Sequence, residues 1–534
     1  MATVGRTLII LSILAVLLAP NVDALRRLRD HDRDVFRPPC KAGIVRGPSS
    51  SQDAYLVPYP NTTEAKFVAV LSVGDSAANG YKLIGIPDGL GAYNDDDEDG
   101  STFFVLMNHE DTPPEGKVHA HGAKGAFVSK WAIKKSSLEV VHGEDLIQHV
   151  WAWDRSTKQY LDPASHPPVV MQRFCSATLP AQSALFNRES GKGTRDLVFL
   201  NGEENGNVGR AYAHVVTGPM KGHTFELPHF AQAGFENLIP NPNLHKLDED
   251  DAADKTVVMA TDDNGHNRVF VYVGDKKRSG TPVEKAGLVG GKLYVIYLEN
   301  IGDEIRDGGN LVAGDKIAFT ATLLGDRSGP DGAGPALAAS SLPVVNPNPS
   351  ADPKNTKFDR PEDGNWHPED PNVFYFHCTA TFNAVGRHTR LWQLKFEDPT
   401  LRTSVKGVAT VLINGPAGAD VTGPKMLDNM GINQKGEAIL QEDVGKQEHL
   451  SRVWKYNLKS QELKVIGQHN PAFFSPPTPV KTIDEESSGV IPMDDIMGKG
   501  WWMLDVQAHK PLGDDLVEDG QLLALYTGKC KGRD

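Results

Sequence analysis

The stretch MATDDNGHNRVFVYVGD, Met259 to Asp275, reads as a strand, an acidic turn and a second strand. AILQEDVGKQEHLSRVWKYNL, Ala438 to Leu458, repeats that grammar. Similar runs rich in Val, Phe, Tyr and Trp recur along the chain, bounded by Gly, Asn, Asp and Pro; such residues favour pleated, half-buried surfaces. Examples are KFVAVLSV, GAFVSKWAI, KLYVIYL and NVFYFHCTATF. No β-α-β alternation interrupts them, and short helices are expected only after Gly143 and in the Ala-rich run from Asp331 to Ser340. Repeated hairpins over a chain this long point to an all-β propeller rather than a sandwich. Their acidic turns are spaced irregularly, so loop insertions should decorate the blades. The Pro/Asn/Asp-rich stretch from Pro343 to Thr356 reads as a surface loop within one large domain.

Six apolar runs end in or run into carboxylates: FFVLMNHED (Phe103 to Asp111), DLVFLNGEEN (Asp196 to Asn205), TVVMATDDN (Thr256 to Asn264), FDRPEDGNW (Phe358 to Trp366), AILQEDVG (Ala438 to Gly445) and WWMLDVQAH (Trp501 to His509). A carboxylate is costly to bury unless a cation meets it. Converging strand ends of this kind would form a cage of hard oxygen ligands suited to Ca²⁺. In Arg360-Pro361-Glu362 the proline stiffens the backbone between a guanidinium and a carboxylate. The Arg can fork onto phosphate oxygens while the Glu holds a cation.

The chain has 534 residues, with 52 Gly and 36 Pro that imply many turns, and a formal net charge of −14 that argues against non-specific nucleic-acid binding. Arg6, the apolar run Leu8 to Leu18 and the small residues near Ala24 read as a cleavable export signal over residues 1–24. Residues 25–60 are read as an N-terminal extension and 61–534 as a single propeller. No later stretch is apolar enough to span a membrane, so a secreted monomer is expected. Asn61-Thr62-Thr63 is the sole glycosylation sequon. Cys40 and Cys530 sit at opposite ends of the mature chain, and a disulfide between them would tie the termini of a closed ring. Cys378 reads as a buried structural thiol, whereas Cys175 in RFCSATLP is a candidate ligand.

Other motifs carry less. Asp95 to Gly100 opens like an EF-hand loop, but position twelve would be Leu106 where a Glu is required, so a solvated hairpin turn is expected. Arg26-Arg27-Leu28-Arg29 reads as a basic flank of the export signal. Asp75-Ser76-Ala77 lacks the metal-binding context of a phosphatase nucleophile. No G-x-S-x-G elbow, Walker A loop or H-E-x-x-H motif occurs.

Taken in order, NHE (108–110), VHAHGAKGAFVSKW (118–131), RFCSA (173–177), NGEE (201–204), FEN (235–237), TDD (261–263), RPEDGNW (360–366), LDNMGINQKGEAILQED (427–443), DEESSG (484–489) and MLDVQAH (503–509) resemble the PhoX-type alkaline phosphatase family, from about Val73 to Tyr526. The resemblance implies a six-bladed propeller around an iron–calcium cluster that hydrolyses small phosphate esters through a metal-bridging oxygen. It implies Cys175 as a thiolate ligand of iron, Glu236 and Glu362 as carboxylate ligands, and Arg360 as the phosphate-binding residue. Glu110, Glu204, Asp262 and Asp428 become candidates for the calcium shell, while Glu442 and Asp505 fall to structural roles. The characterised phosphatases carry Asn-Cys-Ala-Gly-Gly around the thiolate. Here the residues are Phe174-Cys175-Ser176-Ala177-Thr178, and Asp363 follows the Arg-Pro-Glu motif in place of an aromatic residue. Two other readings remain open: a non-catalytic, calcium-stabilised binding propeller, and a calcium-dependent lactonase- or phytase-like hydrolase.

Overall fold

The computed structural model describes residues 35–36, 44–94, 100–230, 232–249, 251–325, 354–476, 479–513 and 515–528. The export signal, Arg26 to Arg29, Cys40, Cys530, Asp95 to Asp99, the Ala-rich run and most of the Pro343 to Thr356 stretch lie outside these residues.

The chain forms an all-β propeller. Six inner strands succeed one another in sequence: Pro87–Asn94, Phe174–Thr178, Phe235–Pro240, Pro361–Trp366, Leu427–Ile432 and Glu486–Pro492. Each packs on the next, and the sixth packs back on the first, so they ring one axis. From every inner strand an antiparallel meander runs outward. The first, for example, continues through Thr102–His109, Phe127–Lys134 and Val140–Asp145. The third and fourth meanders meet at their rims, where Lys316–Gly325 pairs with Lys406–Asn414, and so form a single nine-stranded sheet. The ring closes without covalent help among the described residues: Lys66–Ser72, from the start of the chain, pairs antiparallel with Val517–Tyr526 from its end.

Two expectations are corrected. Residues assigned to an N-terminal extension are part of the sheets: Ile44–Arg46 pairs with Lys66–Ser72, and Leu56–Pro58 pairs with Leu463–His469. Tyr55 beside them is fully buried, its hydroxyl bonded to Asp519. The stretch directly after Gly143 holds no helix. The chain stays extended through Val140–Asp145 and His149–Trp151, because Leu146 and Ile147 are drawn into the core between the first two meanders. Among the described residues, no helix is long and apolar enough to cross a membrane.

Apolar side chains from adjacent meanders interlock to form the core. Ile296, Phe319, Phe374, Phe376 and Trp392 fill one such layer and Val258, Phe270, Val283 and Phe225 another. Burying each large side chain contributes about 1.5–3 kcal/mol. Cys378 lies in the first of these layers as a free, buried thiol. The inner strands approach so closely that a Cβ on Gly89 would lie 2.4 Å from the Ala177 amide nitrogen.

One buried ion pair braces the rim. Arg390 donates to Glu304 (2.8 Å), to the Gly308 carbonyl and to Asn414, while Glu304 also accepts from Trp392 Nε1 and the Asp359 amide. Glu304→Ala leaves that guanidinium buried without its counter-charge and is expected to cost about 3–5 kcal/mol. Urea denaturation should show the loss, whereas cation content at the central site stays at the wild-type level.

Candidate metal centre

All six inner strands carry the same irregularity. Pairing with the second strand of the meander slips between Asp88 and Leu90, Phe174 and Ala177, Phe235 and Leu238, Pro361 and Gly364, Leu427 and Met430, and Ser488 and Ile491. A bulge sets extra residues against the partner strand and re-aims their side chains. The residues in or beside these bulges include Asp88, Cys175, Glu236, Glu362 and Asp428.

Their side chains meet in two groups. Donor atoms of Asp88, Glu110 and Cys175 lie within 4.8 Å of one another, as do those of Glu236, Glu362 and Asp428, and all six residues are buried. The Cys175 thiol donates to Asp88 Oδ2 at 3.4 Å, and Gln507 donates to the same oxygen at 2.9 Å. Five residues proposed from the sequence as ligands therefore fall into these groups. Asp88 is a sixth that the sequence reading missed, since Pro87-Asp88-Gly89 has the composition of a turn. Asp505, read as structural, has both carboxylate oxygens buried without a hydrogen-bond partner among the described residues; a Cβ on Gly489 would lie 2.9 Å from each. Glu486 and Glu110 act electrostatically on Asp505, which places it beside the first group.

Strand register explains which acidic residues face the axis. His109, Glu203, Asp262, Cys378, Glu442 and Gln507 lie opposite the first residue of each inner strand. Among these, three carboxylates are spent locally. Glu203 is bound by Arg210, Glu442 by the Lys425 and Arg452 amides and Trp454 Nε1, and Asp262 by the amides of Gly234 (3.0 Å) and His266 (2.7 Å). The next residue along points the other way, since side chains alternate along a strand. Glu110 thus enters the cage, Glu204 meets Arg173 at 2.6 Å, and Asp263 meets Arg360. Of the pair Asp262-Asp263, the second faces the site. Glu204 lies against an arginine at its edge.

Burial raises the proton affinity of both donor groups. Glu236 is pushed up to about 8, chiefly by desolvation. Asp88, Glu362, Asp428 and Asp505 are raised by burial and then by the charge of neighbouring carboxylates, and the Cys175 thiol rises for the same reasons. Glu236 Oε1 and Asp428 Oδ1 have no hydrogen-bond partner among the described residues. Orphaned, mutually repelling buried carboxylates fit cations: the all-carboxylate group offers the hard oxygens that suit Ca²⁺, and a thiolate beside Asp88 and Glu110 also accepts a softer transition ion such as iron.

The surroundings hold these donors in place. The Cys175 carbonyl accepts from Asn108 Nδ2 (2.6 Å), Asn108 Oδ1 from Asn201 (2.8 Å), and Asn201 Oδ1 is bonded to His214 (2.8 Å), which is anchored on Thr224. Thr379 donates to Glu362 at 2.6 Å. Beneath the cage, Asn237 donates to Asp363 at 2.6 Å. A cavity of about 230 Å³, lined by the later halves of the inner strands, lies beyond. At the opposite end, Arg360 forks onto Asp263 through Nε and Nη2 (2.9 Å each) and approaches Glu362 at 3.1 Å, with its side chain 32% exposed.

No family model matches the sequence, and no curated protein does. Among solved structures, PhoX of Pseudomonas fluorescens in complex with vanadate, a transition state analogue, superposes with a TM-score of 0.58 at 12% identity, covering 90% of this chain and 97% of that one. At that identity the likeness concerns the fold. The Trypanosoma rangeli sialidase (TM-score 0.34, 11% identity, 85% of this chain and 57% of that one) and the β-propeller domain of the Trilobed protease from Pyrococcus furiosus (0.30, 8%, 84% and 96%) are too distant to bear on function.

Proposed function

We propose that the protein is a cation-dependent phosphoesterase acting on small phosphorylated molecules. The observation that carries this reading is the convergence of buried carboxylates, two of them with an oxygen that has no hydrogen-bond partner among the described residues, and one thiol, mostly from bulged inner strands, beside a partly exposed, carboxylate-oriented arginine. Asp88, Glu110 and Cys175 would hold one cation and Glu236, Glu362 and Asp428 another, with calcium and iron the ions that these donors suit. When bound, the cations would polarise the phosphoryl group and offset its charge. Asp263 fixes the plane of the Arg360 guanidinium, which then orients a phosphate oxygen and stabilises charge that develops on it. Thr379 holds Glu362 in the rotamer that serves both the cation and Arg360.

Purified protein is expected to hydrolyse an aryl phosphate, to lose that activity on chelation, and to regain it when calcium and iron are returned. Elemental analysis of the untreated protein should find both metals. Absence of chelator-sensitive hydrolysis at every pH tested would sink the reading. A calcium-stabilised binding propeller is the second reading. It is favoured by the occupation of two Arg360 nitrogens by Asp263, and it predicts calcium alone with no hydrolysis.

Export, glycosylation at the exposed Asn61 and a Cys40–Cys530 disulfide complete the proposal. Mass analysis of the protein recovered from culture medium tests all three.

A further inference from the structure

A second arginine stands at an equivalent place. Arg173 immediately precedes the second inner strand as Arg360 precedes the fourth, and both adopt left-handed backbone, φ 42° and 61°. For residues other than glycine that conformation is uncommon. The Arg173 side chain is 43% exposed, with Nη2 at 2.6 Å from Glu204 and 3.7 Å from Glu110. Its guanidinium therefore sits at the edge of the Asp88–Glu110–Cys175 group, on the other side of the third inner strand from Arg360. The two differ in what they have left to give. Arg360 has committed Nε and Nη2 to Asp263, whereas Arg173 Nε is buried and has no hydrogen-bond partner among the described residues.

A guanidinium pinned by carboxylates yet retaining a free N–H is pre-organised for an oxyanion. We propose that Arg173 is a second anion-binding residue of the site and that Arg173 and Arg360 together select a terminal phosphate dianion over a phosphodiester. The assignment rests on the phosphoesterase reading and deepens it. A monoester presents three non-bridging oxygens and two charges, enough to serve both guanidiniums and the cations. A diester presents two oxygens and one charge, so one guanidinium is left unmatched beside it.

The test uses cation-loaded wild-type protein with Arg173→Gln, Arg173→Lys and Arg360→Gln. Calorimetry with inorganic phosphate, kcat and KM on an aryl monoester and an aryl diester, cation content and Tm are measured for each. Arg173→Gln is expected to weaken phosphate binding and raise the monoester KM by about 10- to 100-fold. Diester KM and cation content should change little, and Arg173→Lys should recover only part of the loss. Unchanged phosphate affinity in Arg173→Gln, with affinity lost in Arg360→Gln, overturns this assignment and leaves the phosphoesterase reading standing. Affinity that falls only together with cation content and Tm, and returns fully in Arg173→Lys, also overturns it: Arg173 is then a counter-ion for Glu110 and Glu204. Should Arg173→Gln not fold, Arg173→Lys decides alone, and unaltered phosphate affinity and monoester KM there overturn the assignment. Wild-type protein that neither binds phosphate nor hydrolyses either ester removes the phosphoesterase reading and this inference with it.

Discussion

Treated with chelator, the protein is expected to lose stability as pH rises from about 4 to about 8, and to regain it when calcium and iron are added. The sign follows from the buried carboxyls. Glu236, Asp262 and Asp363 are pushed up to about 8, 7 and 6, each chiefly by burial, while in the unfolded chain such groups titrate near 4. The folded state therefore retains protons that the unfolded state has released. That contribution to stability is complete below about pH 4 and is lost as pH climbs through the folded values. Asp88, Glu362, Asp428 and Asp505 are raised as well and add to the slope. Cations reverse the preference, because they bind the ionised form and only the folded state assembles the cage. Thermal melts of chelator-treated protein should show Tm falling by several degrees between pH 5 and pH 8. Millimolar calcium with added iron at pH 8 should then raise it by about 10 °C. A Tm that is flat with pH and indifferent to cations would mean that these carboxylates are satisfied within the protein.

Glu362→Gln should have the largest effect on catalysis. Glu362 belongs to the second donor group, lies 3.1 Å from Arg360 and accepts from Thr379. Removing its charge weakens cation binding and takes away one of the two carboxylates that hold the arginine, so kcat on an aryl phosphate should fall at least about 1000-fold, roughly 4 kcal/mol of barrier. Glu442→Gln is the control. Its carboxylate is equally buried but is engaged by two backbone amides, Trp454 and His449; the change should lower Tm while the protein that remains folded keeps its cations. Equal kcat in wild type and Glu362→Gln would place the chemistry elsewhere.

Much of the architecture was legible because hairpin grammar is local: alternating apolar residues, then Asp, Asn and Gly at the turn, repeated. Cys175, Glu236, Glu362 and Asp428 could be picked out because the short motifs that hold them, taken in order, resemble those of the PhoX-type family. What escaped was register. Asp262 and Asp263 are equivalent in composition, and only the pairing of Phe235 with Asp262 shows that the first faces backbone amides and the second faces Arg360. The six acidic runs likewise mixed two kinds of position. Pro361–Trp366 is itself an inner strand, whereas Thr102–His109 and Lys255–Asp262 are second strands that only reach the site at their ends. Asp88 was hidden by Pro and Gly neighbours that suit a turn, although here Gly89 serves close packing on Ala177. Asp505 lies mid-strand, where a carboxylate gives no local sign that it points at an axis.

The pairing of Lys66–Ser72 with Val517–Tyr526 also sets an order of events. A nascent chain holds one edge of Lys66–Ser72 open, with only Ile44–Arg46 beside it, until nearly all of the protein has been made. The carboxylates of Glu486 and Asp505 arrive with that same final segment. Until then the ring of inner strands lacks its sixth member and stands open. If the cage holds cations as proposed, the ring would close around them only as this last hairpin docks, among whichever ions surround the chain at that moment.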